Sequence, residues 1–438
     1  MPHGHSQTPR TLRCSPLSRL ATLAALAAAL ALPGSPGARA GELGSDLAGL
    51  LDYARAQNPE LAAMRHEADA ASQRVQPAGA LPDPVLRVEL ENVNNYGNGN
   101  SPSLLPWKVG ETKYTVMQPI PLWGKRDLKR DAAAAEAEQA GARVNATWNE
   151  LAARIKTAYA RYFAAAGNER ITKEVAELLA RLEQLAQARY AGGLAAQQDA
   201  IRAQLEQTAV RAELIALETD KRQAAARLNA LLARAANAVL AEPQGLRPLP
   251  AATTLDTAAL AQRARTANPA VAAEEARLRS ARSNQELVLR NRYPDITVGV
   301  SPTQMGSRLT TWGVMVEMNL PLQRESRRSQ ESEAAAMVSA QLERTRSLQA
   351  QLQGELGENL AGLEAARRSE ALIGSQLLPA SELGFRSALA AYENGKVDFA
   401  TLLDAQRLIR KAKAERLRAQ AEAQMRLAEI ERIVGEDL

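Results

Sequence analysis

The chain repeats itself, and that constrains its fold more than any other feature of the sequence. Asn58-Pro59 returns as Asn268-Pro269, each ahead of an Ala/Glu-rich helical stretch. Pro82-Asp83 returns as Pro294-Asp295, each opening a run with period-two alternation. Pro121-Leu122 returns as Pro321-Leu322, between a β-patterned run and a long helical one, and Tyr190-Ala191-Gly192-Gly193 has its counterpart in Tyr392-Glu393-Asn394-Gly395. Four landmarks in one order mark a duplicated architecture. The first repeat covers 41–242 and the second 257–438, joined by a Pro-rich linker at 243–256.

Each repeat reads helix, strand, strand, long helix, turn, helix. The first long helix is expected from about Leu122 to Arg189. Apolar residues recur at Val144, Trp148, Leu151, Ile155, Ala158 and Tyr162, then at Ile171, Val175, Leu178, Leu182 and Leu185. Spacings alternating four and three form the seam of packed helices. At 1.5 Å rise per residue such a helix is a rod of roughly 100 Å, far longer than a globular domain is wide. The second repeat is expected to match it from Leu322 to about Tyr392, with a return helix over Val397 to Ile433. Alanine runs such as Ala132 to Ala135 favour helix and close approach. Aromatics, at 3 % of the chain, are too few for a bulky core, so the helices should stand side by side as a thin wall.

Between the helices lie four short runs of alternation, the mark of strands with unlike faces. Leu86, Val88 and Leu90 alternate with Arg87, Glu89 and Glu91; Thr112, Tyr114 and Val116 with Lys113, Thr115 and Met117. Ile296, Val298 and Val300 alternate with Thr297, Gly299 and Ser301; Trp312, Val314, Val316 and Met318 with Thr311, Gly313, Glu317 and Asn319. Soluble sheets alternate too, but these apolar faces are small and the adjoining helices run far beyond them. Tyr293, Trp123 and Trp107 sit at the strand margins, where a membrane barrel places aromatics. Leu86, Val88, Leu90, Tyr114, Val116, Ile296, Val298, Val300, Trp312, Val314 and Val316 are therefore expected to face lipid. Arg87, Glu89, Glu91, Lys113 and Glu317 should face water in a duct. The loops from Asn92 to Gly110 and from Ser301 to Leu309 suit an outer surface. Strands in lipid need a closed barrel, and four cannot close one. The smallest bacterial barrels have about eight, so several copies must contribute, and three would supply twelve.

Residues 1–40 read as an export leader: Arg10, Arg13 and Arg19 precede an apolar run from Leu20 to Leu32, and Ala38-Arg39-Ala40 offers a small-residue cleavage site. The run is too short to span a bilayer. The 54 basic residues lose four with the leader and come within one of the 49 acidic residues, which leaves no basic footprint for nucleic acid. Cys14, His3 and His5 leave with it, and His66 alone makes neither a metal cluster nor a catalytic triad. There is no P-loop, and Gly97-Asn98-Gly99 is a dinucleotide-motif fragment best read as a flexible loop. No catalysis and no cofactor are expected.

The repeated order of elements resembles the TolC-like outer-membrane factors over nearly all of the mature chain. The segment Gln118-Pro119-Ile120-Pro121-Leu122-Trp123-Gly124-Lys125-Arg126 and its counterpart Asn319-Leu320-Pro321-Leu322 look like the heavy-metal, CzcC-like branch. The lipidated cysteine of many members is missing. The resemblance implies a mainly α chain with a small β part, trimerising into a twelve-stranded outer-membrane β-barrel continued by a periplasmic α-helical barrel. It also implies a Gram-negative outer membrane, a periplasmic adaptor and an inner-membrane pump of the resistance-nodulation-division type. The cargo would be heavy-metal cations, with drug or solvent efflux and protein secretion as alternatives, since no His, Cys or Met cluster stands out in the sequence. Tyr190, Gly192, Gly193, Tyr392, Asn394 and Gly395 would form the periplasmic tip and touch the adaptor. Asp199 and Asp398 would cap the return helices or line a constriction, with capping favoured for Asp398. Two rivals lie outside this class: a periplasmic adaptor, which carries one hairpin rather than two, and a soluble coiled-coil scaffold.

Overall fold

A computed structural model describes residues 43–94 and 101–438. The proposed leader, with Cys14, His3 and His5, lies outside the described residues, as do the loop glycines Gly97 and Gly99.

The first repeat comprises helices α1 (Leu47–Gln57), α2 (Pro59–Gln73) and α3 (Val75–Ala78), strands β1 (Val85–Glu91) and β2 (Glu111–Ile120), and the long hairpin α4 (Lys125–Ala191) and α5 (Gln197–Leu231). The second comprises α6 (Thr257–Ala267), α7 (Pro269–Arg290), β3 (Ile296–Met305), β4 (Arg308–Met318), α8 (Arg324–Leu372), α9 (Leu378–Glu393) and α10 (Phe399–Val434). The four strands form one antiparallel sheet in sequence order. No helix among the described residues is long and apolar enough to cross a membrane.

The duplicated Asn-Pro pair performs one task twice. The Asn58 side chain caps α2 by accepting from Glu60 N–H and Leu61 N–H, with Pro59 supplying a preset φ at the first helical position. Its Nδ2 donates to the Leu231 carbonyl (2.9 Å), the last residue of α5. Asn268 caps α7 through Ala270 N–H and Val271 N–H, and its Nδ2 donates to the Ile433 carbonyl (2.7 Å) near the end of α10. Both asparagines are buried. Each thus fixes where a short helix meets the end of its own long hairpin.

The seam of α4 follows the expected spacing but drifts around the helix. Leu151, Ile155, Tyr162, Val175 and Leu182 are buried, whereas Ala158, Ile171, Leu178 and Leu185 are half-buried beside buried Tyr159, Leu179 and Ala186. A straight α-helix departs from a strict heptad in this way. Among the described residues, three apolar clusters string along the wall in place of a single central core. One joins α1, α4 and α5, one joins α6, α7, α8 and α10, and the third joins both hairpins near their turns through Leu179, Ala203, Tyr392 and Phe399. Where α4 crosses α10, a Cβ on Gly167 would lie 2.5 Å from Leu417 Cδ2, so glycine permits the close approach.

Two departures from expectation have identifiable causes. Helix α4 begins at Lys125 rather than near Leu122, because Trp123 (φ 62°) and Gly124 (φ 73°) both take the left-handed conformation. That rare state in a tryptophan is offset by an indole N–H donating to the Pro294 carbonyl (2.9 Å) and by ring contact with Tyr293 at 5.0 Å. The long helix of the second repeat contains one π-turn, Ile373–Leu377, just before Pro379, whose missing N–H cannot continue the α ladder. The stretch from Pro243 to Pro250 has no regular structure, yet it is tied down where Arg247 donates to Glu431 and Gln244 N–H to the Ser45 carbonyl.

Candidate functional site

In a sheet folded for water, the apolar face is covered and the polar face is wet. Here the arrangement is reversed. Leu86 lies opposite Val116 and Val88 opposite Tyr114; Val116 lies opposite Val300; Val300 and Val298 lie opposite Val314 and Val316. The register therefore joins the apolar rows into one face across all four strands, with Ile296, Leu90 and Trp312 at its margins. That face is bare: Trp312 is 71 % exposed, Val314 84 % and Val316 68 %. A contiguous apolar patch of this kind marks an interaction surface.

The opposite face carries Arg87, Glu89, Glu91, Lys113 and Glu317, and its centre is the covered side. Thr115, Met117, Ser301 and Thr303 are each 6 % exposed or less. Gly299 lies between Met117 and Met315 in register, and both side chains close over it within 3.3 Å of where its Cβ would be. Thr112, counted with the apolar row in the sequence, is fully buried and donates its hydroxyl to the Pro106 carbonyl (2.9 Å) under the β1–β2 loop. Arg87 and Glu89 approach to 3.8 Å and remain about half exposed.

At the far end of the hairpins the two turns are built alike. Gly193 (φ 68°) and Gly395 (φ 70°) occupy the left-handed position that closes a helix. Leu194 N–H donates to the Arg189 carbonyl and Lys396 N–H to the Ala391 carbonyl, both at 2.8 Å. Gly192 and Asn394 serve as C-caps. The two tyrosines part company: Tyr190 is 46 % exposed, whereas Tyr392 is buried against Phe399 at a ring distance of 5.3 Å. Tyr392 therefore holds the tip together and is not available at its surface in this chain.

Arg189, which sequence reasoning passed over, links the turns. Its guanidinium sits 5.1 Å from the Tyr392 ring and donates to the Glu393 carbonyl and to the Leu194 carbonyl (3.2 Å). Arg407 to Glu206 (3.1 Å) and Lys413 to Glu174 (3.4 Å) extend the link between hairpins away from the tip. None of these pairs can be found without knowing that the hairpins stand side by side.

The two aspartates differ in role. Asp398 is the N-cap of α10 and accepts from Thr401 N–H (3.0 Å) and Thr401 Oγ1 (2.6 Å). Those hydrogen bonds, the hydroxyl's first, hold its carboxyl below the usual aspartate value. Asp199 caps nothing; it is 7 % exposed in the first turn of α5. Burial pushes its pKa up from 3.8, Asp398 adds to the rise, and Arg202 and Arg189 oppose it. Among the described residues no group of three or more His, Cys, Asp or Glu side chains could hold a metal ion.

Comparison with known proteins places this geometry. The family model described as outer membrane efflux protein matches residues 50–234 and 260–436. The chain is 26 % identical over 403 residues to the cobalt-zinc-cadmium resistance protein CzcC of Cupriavidus metallidurans, covering 89 % of this chain and 90 % of that one. Among solved structures, the outer membrane protein VceC of Vibrio cholerae matches with a TM-score of 0.74 at 17 % identity, over 89 % of this chain and 96 % of that one. CusC, described by its transmembrane channel formation, matches with a TM-score of 0.75 at 15 % identity, over 93 % and 96 %. At such identities the structural matches speak for the fold.

Proposed function

The chain belongs to the outer membrane efflux protein family, an exit channel and not an enzyme, and from that premise we propose that three copies form a duct for heavy-metal cations. The observation that carries this reading is the inverted sheet, whose bare apolar face is Val/Leu/Trp-rich and whose opposite face bears the charges. In lipid the apolar face needs no protein cover, but every strand edge must be paired. Strands β1 and β4 end the sheet with free edges. Closure therefore requires β4 of one copy to meet β1 of the next, and three copies give a barrel of about twelve strands.

The long hairpins then continue the duct away from the membrane as a wall of helices. The cargo reading rests on the relation to a cobalt-zinc-cadmium resistance protein and on the segment from Gln118 to Arg126. A passive duct has no energy source of its own. An inner-membrane pump of the resistance-nodulation-division type and a periplasmic adaptor would supply energy and cargo, the adaptor docking at the exposed tip residues Tyr190, Gly192, Gly193, Asn394 and Gly395. Asp199 and Asp398, drawn together where the hairpins meet, are the constriction candidates. The duct face, carrying both signs of charge, would hydrate passing ions without holding them.

The test is fractionation of native membranes, mild detergent extraction of the outer-membrane portion, and a mass measurement without heating. A trimer in that fraction is expected. A monomer released by a salt wash would refute the barrel and return the chain to the adaptor or scaffold class.

A further inference from the structure

The internal repeat makes it possible to read a contact that a single chain cannot display. Within the chain, β2 of the first repeat pairs with β3 of the second. By the repeat, β2 corresponds to β4 and β3 corresponds to β1, so the β2–β3 junction is a template for β4 of one copy against β1 of the next. This inference rests on the trimer proposed above and specifies what that proposal leaves open: the register of the seam and the side chains that set it.

The landmarks fix the correspondence without adjustable parameters. Pro121-Leu122 aligns with Pro321-Leu322, which carries Val116 onto Val316, Met117 onto Glu317 and Gln118 onto Met318. Pro82-Asp83 aligns with Pro294-Asp295, which carries Val300 onto Val88, Gly299 onto Arg87 and Val298 onto Leu86. Inside the chain the observed partners are Val116 with Val300, Met117 with Gly299, and Gln118 with Val298. The same register between copies sets Val316 opposite Val88, Glu317 opposite Arg87, and Met318 opposite Leu86.

We propose that this is the seam between neighbouring copies, and that the cross-strand ion pair of Glu317 with the next copy's Arg87 selects its register. The template was chosen by the proline landmarks, with no regard to charge or hydropathy, yet the result is complementary in both. Apolar residues meet apolar residues on the bare face, and on the other face the carboxylate of β4 meets the guanidinium of β1. Each position in the chain fits such a partner: Glu317 is exposed, and among the described residues Arg87 makes a long, half-exposed contact with Glu89.

The pair also excludes the nearest competitors. A slip by one residue would turn every side chain of one strand to the wrong face. A slip by two keeps the faces but puts Glu317 opposite Glu89 in one direction, a like-charge pair, and opposite apolar Val85 in the other. Directly opposed unlike charges on neighbouring strands are favourable and like charges are not. The seam needs such a device because nothing covalent connects β4 to the next β1.

Disulfide trapping tests the register. Opposed residues of an antiparallel pair have Cα atoms about 4.5–5.5 Å apart, inside the range a disulfide spans. With Arg87→Cys and Glu317→Cys in one chain, oxidation should give covalent oligomers that survive heating in detergent, each lost on reduction. Glu89→Cys with Glu317→Cys, the slipped register, should give at least tenfold less. As a second reading, Arg87→Glu or Glu317→Arg alone should lower the temperature at which unheated oligomers dissociate, and the double charge swap should restore it. Preferential trapping at Glu89, or no rescue by the swap, would overturn the seam while the channel reading stood, provided the unmodified protein still ran as an oligomer. Absence of any oligomer from the unmodified protein would instead sink the channel reading itself.

Discussion

Replacing Val314 by arginine separates a sheet in lipid from a sheet in water, because the two environments assign the change different costs. Val314 is 84 % exposed and lies near the middle of β4. In water, a substitution at so open a position away from caps and networks stays within about 0.5 kcal/mol. On the lipid face of a barrel, arginine at the midplane costs about 2–4 kcal/mol. The eleven residues of β4, at about 3.4 Å each and tilted by about 45°, rise roughly 25 Å, so Val314 sits close to that midplane. The expected shift per chain is therefore roughly 30- to 1000-fold in the folding equilibrium, and an oligomer carries it in every copy. Urea unfolding of the protein reconstituted in vesicles measures this, with Thr311→Arg on the opposite face of the same strand as the control. Val314→Arg should unfold at much lower urea and Thr311→Arg near the wild-type midpoint. Equal midpoints for both variants would mean that the apolar face does not meet lipid.

Four further outcomes follow from the helical part. Glu431 is 3 % exposed and accepts from Lys156 Nζ (2.8 Å), from both Arg247 terminal nitrogens (2.7 and 2.6 Å) and from Leu438 N–H (3.0 Å). Glu431→Gln takes a carboxylate from Arg247 and from Lys156, the latter keeping Asp437, and should cost about 1–3 kcal/mol, read as a lower thermal midpoint by circular dichroism. Gly435→Ala should destabilise more than Gly193→Ala: both glycines have positive φ, but a Cβ at 435 would lie 2.7 Å from the Ala267 carbonyl oxygen, while at 193 nothing stands within 4 Å. About 1–2 kcal/mol is expected at 193 from the left-handed backbone alone, and a gap between the two midpoints checks the rest. At the tip, the folded pKa of Asp199 is raised, so the folded tip binds a proton that the unfolded chain releases. Its ionisation therefore opposes the packed tip at neutral pH, and stability should rise as pH falls through the raised pKa towards 3.8. Protection against hydrogen exchange around Asp199, corrected for the intrinsic fall of the exchange rate with pH, should rise over that window, and Asp199→Asn should flatten the response. If the constriction lies there, Asp398→Ala should admit large antibiotics to cells that otherwise exclude them.

How much could be read without coordinates depended on how local the cause was. The long helices, the strand faces and the two glycine turns follow from spacing along the chain, and the alternation of β1 and β4 already placed Val316 and Glu317 on opposite faces. What stayed hidden required two segments to be brought together. Arg189 reads as an ordinary helix-end arginine until Tyr392 appears beneath it from the other repeat. Thr112 fits the alternation perfectly well, yet its hydroxyl is claimed by the folded-back loop at Pro106. The start of α4 moved because Trp123 is pinned in a left-handed conformation by Tyr293 and Pro294, residues of the second repeat.

The repeat also explains why a single copy looks unfinished. Within the chain, the β2–β3 junction is sealed at its end by Asp295, which accepts from Leu122 N–H (3.1 Å) and from the buried Lys125 ammonium (2.9 Å). Its counterpart Asp83 lies at the free edge beside β1, and the turn corresponding to Leu122-Lys125 is the exposed Leu322-Glu325 beside β4. Glu325 stands where the first repeat has Lys125, so a faithful copy of the seal would set two carboxylates together. Arg324, one residue earlier and exposed, is the cation within the same turn. The duplicated chain thus carries one finished junction and two halves of another. On the trimer reading those halves meet only between copies, so closing the sheet and joining the chains are a single event.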